Sequence, residues 1–321
     1  MKQIKGIKVG TTEITSTYTD GVSGSDSTSF EVTAVSLSSI STPVDTVYTG
    51  FDIKPIPDVF AIVDGVQMTL ELGVDYDLTY SNNINVGNYA TVTATGKGNF
   101  TGSVFATWSI TGATMTVTAN DQSYEYDGSL HGTAPTITTV NNQTPTIKYR
   151  LSSSGAYTLT DTPQFKNVDN SEYAGFDGTV YFQVTAPNHN DYEGCYQLVV
   201  HPKTATLSWG PTSWRYDGNP HSTTCVVSNL VSGDTCTVTL SGNSITNIGS
   251  TTVTATGLSN SNYKLPESGI TQTLTINPGL FVKLSGTWTP VKAVYKRVSG
   301  SWVQQDMTTA FSTSGRYIKS N

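Results

Sequence analysis

Four histidines, three cysteines and a thin scatter of acids are the side chains of this 321-residue sequence best suited to proton transfer, nucleophilic attack or metal binding. Two histidines fall in equivalent places: His131 stands three residues after Gly128, and His221 three after Gly218. A histidine there could titrate near neutral pH or hold a metal. In an earlier segment the same position is Ile53, three after Gly50, so a half-buried site shared by repeats accounts for it equally well. No His stands with an acid or nucleophile in a readable motif. Acids come in the pairs Asp75/Asp77, Asp121/Asp127 and Asp161/Asp169. Paired carboxylates serve glycoside hydrolysis when they flank one bond, and crowded turn acids can hold calcium. Nothing in the spacing puts these on one cleft, no complete calcium loop is present, and Asp is a common turn residue. Cys195, Cys225 and Cys236 are odd in number, which argues against a disulfide framework. Cys225 and Cys236 could face each other across a hairpin, or serve as small core residues. There is no CxxC and no Cys/His pair with metal spacing. The expectation is a non-enzymatic protein without catalytic residue, metal or cofactor. Tyr157, Tyr173 and Phe176 are the candidate glycan contacts, and filling the core is the competing use for them.

These residues must be held by strands. Thr, Ser, Gly, Val and Tyr dominate, and charged residues make up 13% of the chain. Alanine-, leucine- and glutamate-rich runs, from which helices grow, are missing. β-Branched and aromatic residues punctuated by Gly and Asn favour strands and turns. The strongest pattern is a unit used three times: Val47-Tyr48-Thr49-Gly50, Glu125-Tyr126-Asp127-Gly128 and Arg215-Tyr216-Asp217-Gly218. The tyrosines lie 78 and 90 residues apart, the size of a small β-sandwich. A second signature follows, Asn85-Val86-Gly87 through Ala94-Thr95-Gly96 in the first copy and Asn247-Ile248-Gly249 through Ala255-Thr256-Gly257 in the third. The second copy is looser, with Gly178 leading to Ala186-Pro187-Asn188. The fold expected is all-β: three tandem β-sandwiches over residues 35–112, 113–202 and 203–278. A strand segment and linker (1–34), a candidate anchor, precedes them, and a β-hairpin module (279–321) follows.

Within the first repeat, Val59–Val63 reads as a strand and Asp64-Gly65 as a hairpin turn before Val66–Leu70. Tyr76–Tyr80 and Ala90–Ala94 alternate, and Ser103–Ile110 closes the unit. About seven strands, with turns every 8–12 residues, are the mark of a β-sandwich. Ahead of it, residues 17–29 have no apolar face and read as a loop, with a strand over Phe30–Val35. Tyr48-Thr49-Gly50 with Ile53-Lys54-Pro55, Leu72-Gly73-Val74-Asp75-Tyr76, Tyr80 through Gly87, and Thr95-Gly96-Lys97-Gly98-Asn99-Phe100-Thr101-Gly102 together resemble the Ig-like repeats of bacterial surface proteins. The Tyr-Asp-Gly starts of the second and third repeats resemble a related family of tandem bacterial Ig-like modules. The resemblance implies that the three sandwiches are Ig-like, used as spacer or adhesive domains, and carries over no catalytic residue. In the second repeat a longer middle, Leu151–Asn170, predicts a loop or extra hairpin.

The last 43 residues are a different unit. Phe281-Val282-Lys283-Leu284-Ser285-Gly286-Thr287-Trp288 recurs 14 residues later as Tyr295-Lys296-Arg297-Val298-Ser299-Gly300-Ser301-Trp302. Each Ser-Gly predicts a hairpin turn, after which the Trp can pack back on the aromatic across the strands. This tandem resembles the small C-terminal hairpin domains of bacteriophage head and tail proteins.

Net charge is −7, unevenly spread: six basic residues and one acid follow Gly279, a sum of +5, which leaves −12 before it. The basic residues stand singly along strands, which argues against nucleic acid and for an acidic protein surface or solvent. Met1–Lys8 is followed by polar residues, which predicts no signal peptide, and no run approaches the roughly 20 apolar residues of a membrane helix. Virion proteins made in the host cytoplasm and freed by lysis need no export signal. The expected function is therefore a bacteriophage virion structural protein, a head decoration, fibre or tail appendage. Its partners are other virion proteins and host surface glycans, with homo-oligomers allowed and neither nucleic acid nor membrane engaged. The alternative is a bacterial cell-surface adhesin with Ig-like spacers.

Overall fold

The computed structural model describes residues 8–17, 25–169, 176–279, 281–291 and 294–305. Among them the protein is all-β, with a single 3₁₀ turn at Val140–Asn142. No helix of the described residues is long and apolar enough to cross a membrane. Several tandem β-sandwich repeats form the chain, and their residues gather into two compact units. The first comprises Met1–Asp121, Thr133–Pro163 and Thr179–Tyr196; the second comprises Gln122–Gly132, Gln164–Gly178 and Gln197–Asn321.

In the first unit, β1 (Gly10–Thr17) and β2 (Ser25–Val32) form an antiparallel pair. The polar stretch Ser25–Ser29, expected as loop, is strand here. It has no apolar face, but the backbone groups on its inner edge are satisfied by pairing with β1. The first repeat holds β3 (Val35–Ile40), β4 (Thr46–Val47), β5 (Val59–Val63), β6 (Val66–Thr69), β7 (Tyr76–Ser81), β8 (Gly87–Gly96), β9 (Phe100–Thr101) and β10 (Ser103–Thr111). One sheet runs β4-β10-β8-β7 and the facing one β6-β5-β3-β9. Period-two alternation decides what goes inside. On β8, Ala90, Val92 and Ala94 are buried, while Thr91, Thr93 and Thr95 point outward. Trp108 and Ile110 of β10 and Val59 and Ala61 of β5 complete the interior. Asp64 and Gly65 take φ of 51° and 78°, as a two-residue hairpin of this hand requires.

The second repeat holds β11 (Thr116–Thr118), β12 (Gln122–Glu125), β13 (Thr136–Thr138), β14 (Thr146–Arg150), β15 (Thr179–Thr185) and β16 (Tyr192–His201). In the first unit β11 pairs with β13 and β14 with β15, both antiparallel. The longer middle turns back on β14, where Tyr149 N–H donates to Leu159 O at 2.8 Å. In the second unit β12 runs parallel to β16.

The third repeat, in the second unit, holds β17 (Lys203–Thr204), β18 (Leu207–Trp209), β19 (Ser213–Arg215), β20 (Cys225–Val227), β21 (Val238–Ser241), β22 (Gly249–Leu258), β23 (Tyr263–Lys264) and β24 (Thr271–Asn277). Its main sheet is β19-β24-β22-β21. Val253, Ala255, Leu274 and Ile276 are buried, and Ser250, Thr252, Thr271, Thr273 and Thr275 face away from them. Two antiparallel hairpins follow, β25 (Phe281–Leu284) with β26 (Thr287–Pro290), and β27 (Val294–Val298) with β28 (Ser301–Gln305). Ser285-Gly286 and Ser299-Gly300 all have positive φ, as two-residue turns need. The register differs from the expected stacking of Trp on an aromatic. Trp288 stands opposite Lys283 and Trp302 opposite Arg297, with Tyr295 opposite Gln304. A two-residue turn pairs the residue after the Gly with the one before the Ser, so the Trp one step further meets the basic residue.

Candidate functional site: the joint between repeats

The recurrent Tyr-x-Gly segment explains itself at the level of single bonds. Asp127 Oδ1 accepts the Ser129 N–H at 2.7 Å and lies 2.9 Å from His131 Nε2. Asp217 Oδ1 accepts the Asn219 N–H at 2.8 Å and lies 3.0 Å from His221 Nε2. His131 stacks on Tyr124 with centroids 4.3 Å apart, and His221 on Trp214 at 5.2 Å. The sequence showed no His paired with an acid; the structure pairs both, through a turn that brings residues four apart together. Backbone N–H donation from Ser129, then the histidine, holds the Asp127 carboxyl below its usual range. Asn219 and His221 bring Asp217 down to about 2. In the first repeat Thr49 Oγ1 takes the acid's place, 3.3 Å from the Phe51 amide. Gly50, Gly128 and Gly218 all sit at φ between 82° and 84°, so the segment is one turn built three times.

Around this turn the following repeat is received. In the first unit the Tyr48 ring meets His189 edge-on at 5.8 Å, and Val140 N–H donates to His189 Nε2 at 2.9 Å. Asn188 closes a reciprocal clasp: its Oδ1 accepts the Val86 N–H at 2.9 Å, and its Nδ2 donates to Asn85 Oδ1 at 3.0 Å. A Cβ on Gly50 would stand 2.5 Å from Asn141 Cβ. The second unit repeats the scheme. Tyr126 meets Tyr263 edge-on at 5.7 Å. Asn262 Oδ1 accepts the Val168 N–H at 2.9 Å, and its Nδ2 donates to Asn167 Oδ1 at 3.1 Å. A Cβ on Gly128 would stand 2.5 Å from Val231 Cγ1. Here one carboxylate adds a latch: Asp234 Oδ2 accepts the hydroxyls of Tyr126 at 2.8 Å and Tyr263 at 2.7 Å. Burial, then the bond to Asp234, pushes the Tyr126 phenol up to about 12. The second copy of the Asn-Val signature is thus Asn167-Val168, not the stretch at Gly178. Asp169 replaces its glycine and an insertion parts it from β15, which hides it from a spacing search.

Other singled-out residues have plain surroundings. Tyr157, in the first unit, is half-buried; its hydroxyl donates to Glu193 Oε2 at 3.1 Å, and the Arg150 guanidinium lies 4.6 Å from its ring. Phe176, in the second unit, is half-buried against Phe165 at 4.5 Å. Tyr173 lies outside the described residues. Among the described residues the ring most open to solvent is Tyr89, 76% exposed, beside a pocket of about 410 Å³ lined by Asn82, Asn83, Ile84 and Asn85. Asp75 accepts the Glu71 N–H and Asp77 the Lys97 ammonium. Among the described residues no three His, Cys, Asp or Glu gather as a metal site. All three cysteines are free; Cys195 is exposed, and Cys225 and Cys236 are half-buried. Val226 bridges Thr237, so the last two stand out of register rather than face to face.

No family model matches the chain, and no curated protein matches it. Among solved structures it is similar to the N-terminal four Ig domains of Dscam1 isoform 9.44, at 10% identity and TM-score 0.25. That match covers 59% of this chain and 54% of the other, about half its length. It is also similar to Drosophila N-cadherin EC1-4, at 11% identity and TM-score 0.27, over 84% of each chain. At these scores neither likeness speaks to function; the tandem Ig- or cadherin-like β-sandwich character stands on the sheets themselves.

Proposed function

We propose that this chain is a non-enzymatic structural protein of a bacteriophage virion, a head decoration, fibre or tail appendage whose Ig-like repeats serve assembly and weak adhesion to host surface glycans. The observation that supports the reading most is the C-terminal tandem: two hairpins on identical Ser-Gly turns, carrying Tyr295 and Trp302 at 52% and 68% exposure, directly after a row of sandwiches. It is the arrangement whose sequence resembles the end modules of phage head and tail proteins. The joints add support, because the side chains that recur are spent on fixing one repeat to the next. For glycans, Tyr89 over the Asn82–Asn85 pocket is a more open contact than Tyr157 or Phe176, since a sugar face stacks on a free ring while amides bond its hydroxyls. Many copies on one particle turn such weak contacts into useful avidity.

Mass spectrometry of density-purified phage particles from the source culture, with copy number per particle, is the test. Abundant peptides of this chain in particles are the expected result. Hundreds of copies would point to capsid or tail-tube decoration and a few to tens to fibres or a tail tip. Peptides confined to the bacterial envelope fraction would overturn the reading in favour of a surface adhesin.

A further inference from the structure

The N-terminal pair β1 and β2 is bonded as the closing strands of an Ig-like repeat are. In the third repeat the closing strands β22 and β24 pair Gly249 with Ile276, Thr251 with Leu274 and Val253 with Gln272. In β1 and β2, Gly10 pairs with Val32, Thr12 with Phe30 and Ile14 with Thr28. The register is the same residue for residue, and the opening glycines share a left-handed φ, 146° at Gly10 and 136° at Gly249. One face of the pair carries Ile14, Phe30 and Val32, the positions that Val253, Leu274 and Ile276 fill in the third repeat. The other carries Thr11, Glu13, Ser29 and Glu31, polar like the outer Ser and Thr of β22 and β24.

The joint repeats as well. Val9 N–H donates to Asn99 Oδ1 at 2.9 Å, as Val86 does to Asn188 and Val168 to Asn262 at the same length. Asn99 is followed by Phe100, as Asn188 is by His189 and Asn262 by Tyr263. Lys8-Val9-Gly10 is therefore a further copy of the signature Asn85-Val86-Gly87.

The resemblance stops at the core. Val253, Leu274 and Ile276 are buried to 1% exposure or less, whereas Ile14, Phe30 and Val32 are only half-buried. In complete repeats the last strand also takes a parallel neighbour ending in the Tyr-x-Gly turn: β4 on β10, β12 on β16 and β19 on β24. These three opening strands each serve their own repeat. We propose that β1 and β2 are the closing pair of a further Ig-like repeat, and that the apolar face of the pair with the outer edge of β2 is the docking site for the opening strands of a Tyr-x-Gly-type repeat. The added strand lies parallel to β2, and its partners cover Ile14, Phe30 and Val32, a form of strand addition whose backbone bonds give affinity and whose alternate side chains give selectivity. The inference goes beyond the proposed function and does not depend on it.

The third repeat supplies the probe. A polypeptide of residues 203–248, which ends at the residue equivalent to Val9, is added to the full chain, and amide hydrogen exchange is followed along β1 and β2. In a second protein the same residues are placed directly before Gly10 of the full chain, so that Ile248 replaces Val9. The expected result is slower exchange at Thr12, Thr28 and Phe30, by about 100-fold or more, in the joined protein, and its loss with Phe30→Ser. Slowing by the separate polypeptide as well would support the same docking site. Unchanged exchange in both, with the added residues open to protease, would overturn the identity of the strand pair itself.

Discussion

A single side-chain oxygen organises each Tyr-x-Gly turn, which makes the turn testable by titration. Asp217 is held at about 2 against an ordinary 3.8. A carboxyl lowered in the folded state contributes stability above its unfolded value, and that contribution is lost as pH falls through the folded one. Asp217→Ala should therefore lower the urea midpoint of the third repeat at pH 6, and the gap from the parent should close as pH falls from about 4 toward 2. Tyr126 works with the opposite sign. Its phenol is raised to about 12 from 10.0, so its contribution is complete below 10 and lost as pH climbs toward 12. Tyr126→Phe should flatten the alkaline slope of unfolding. At pH 7 it should cost roughly 1.5–3 kcal/mol, the net worth of one hydrogen bond to a charged group, while Asp234 keeps Tyr263. None of this was legible as chemistry in the sequence. His131 and His221 were visible as equivalent positions, but a pairing four residues back normally signals a helix, and here a left-handed glycine makes it.

At the scale of strands and turns, local chemistry was readable and tertiary chemistry was not. Asp64-Gly65 and the two Ser-Gly turns declared their hairpins because turn type follows from two residues. The Ser25–Ser29 strand did not, because its support is the partner strand and not its own pattern. The clasps were half visible: Asn85-Val86 and Asn247-Ile248 share a following glycine, whereas Asn167-Val168 lost it and Lys8-Val9 replaced the Asn. The joint makes a sharp distinction among three glycines of equal φ. Gly218→Ala should cost about 1–2 kcal/mol for a left-handed alanine, since its Cβ meets no described atom within 4 Å. Gly128→Ala should cost clearly more, because Val231 must move as well. Chemical denaturation of the two variants side by side checks this. Asn262→Ala removes both clasp bonds in the second unit, and faster amide exchange at Val168 is its expected signature.

For the molecule as a whole, the way each repeat is opened and closed bears on how it meets mechanical force. In all three repeats an early strand lies parallel to the last, by two residue pairs at β4, four at β12 and three at β19. Pull the chain by its ends and these two strands are drawn in opposite directions along their common axis. Their hydrogen bonds then carry the load in shear and must break together, where a hairpin pulled from one end would unzip bond by bond. Stretched in optical tweezers, each repeat should resist to a distinct peak, with the four-pair ladder of the second giving way at higher force than the two-pair ladder of the first. A tether built this way stays folded under tension that would strip an ordinary hairpin, and it lengthens only in whole-domain steps.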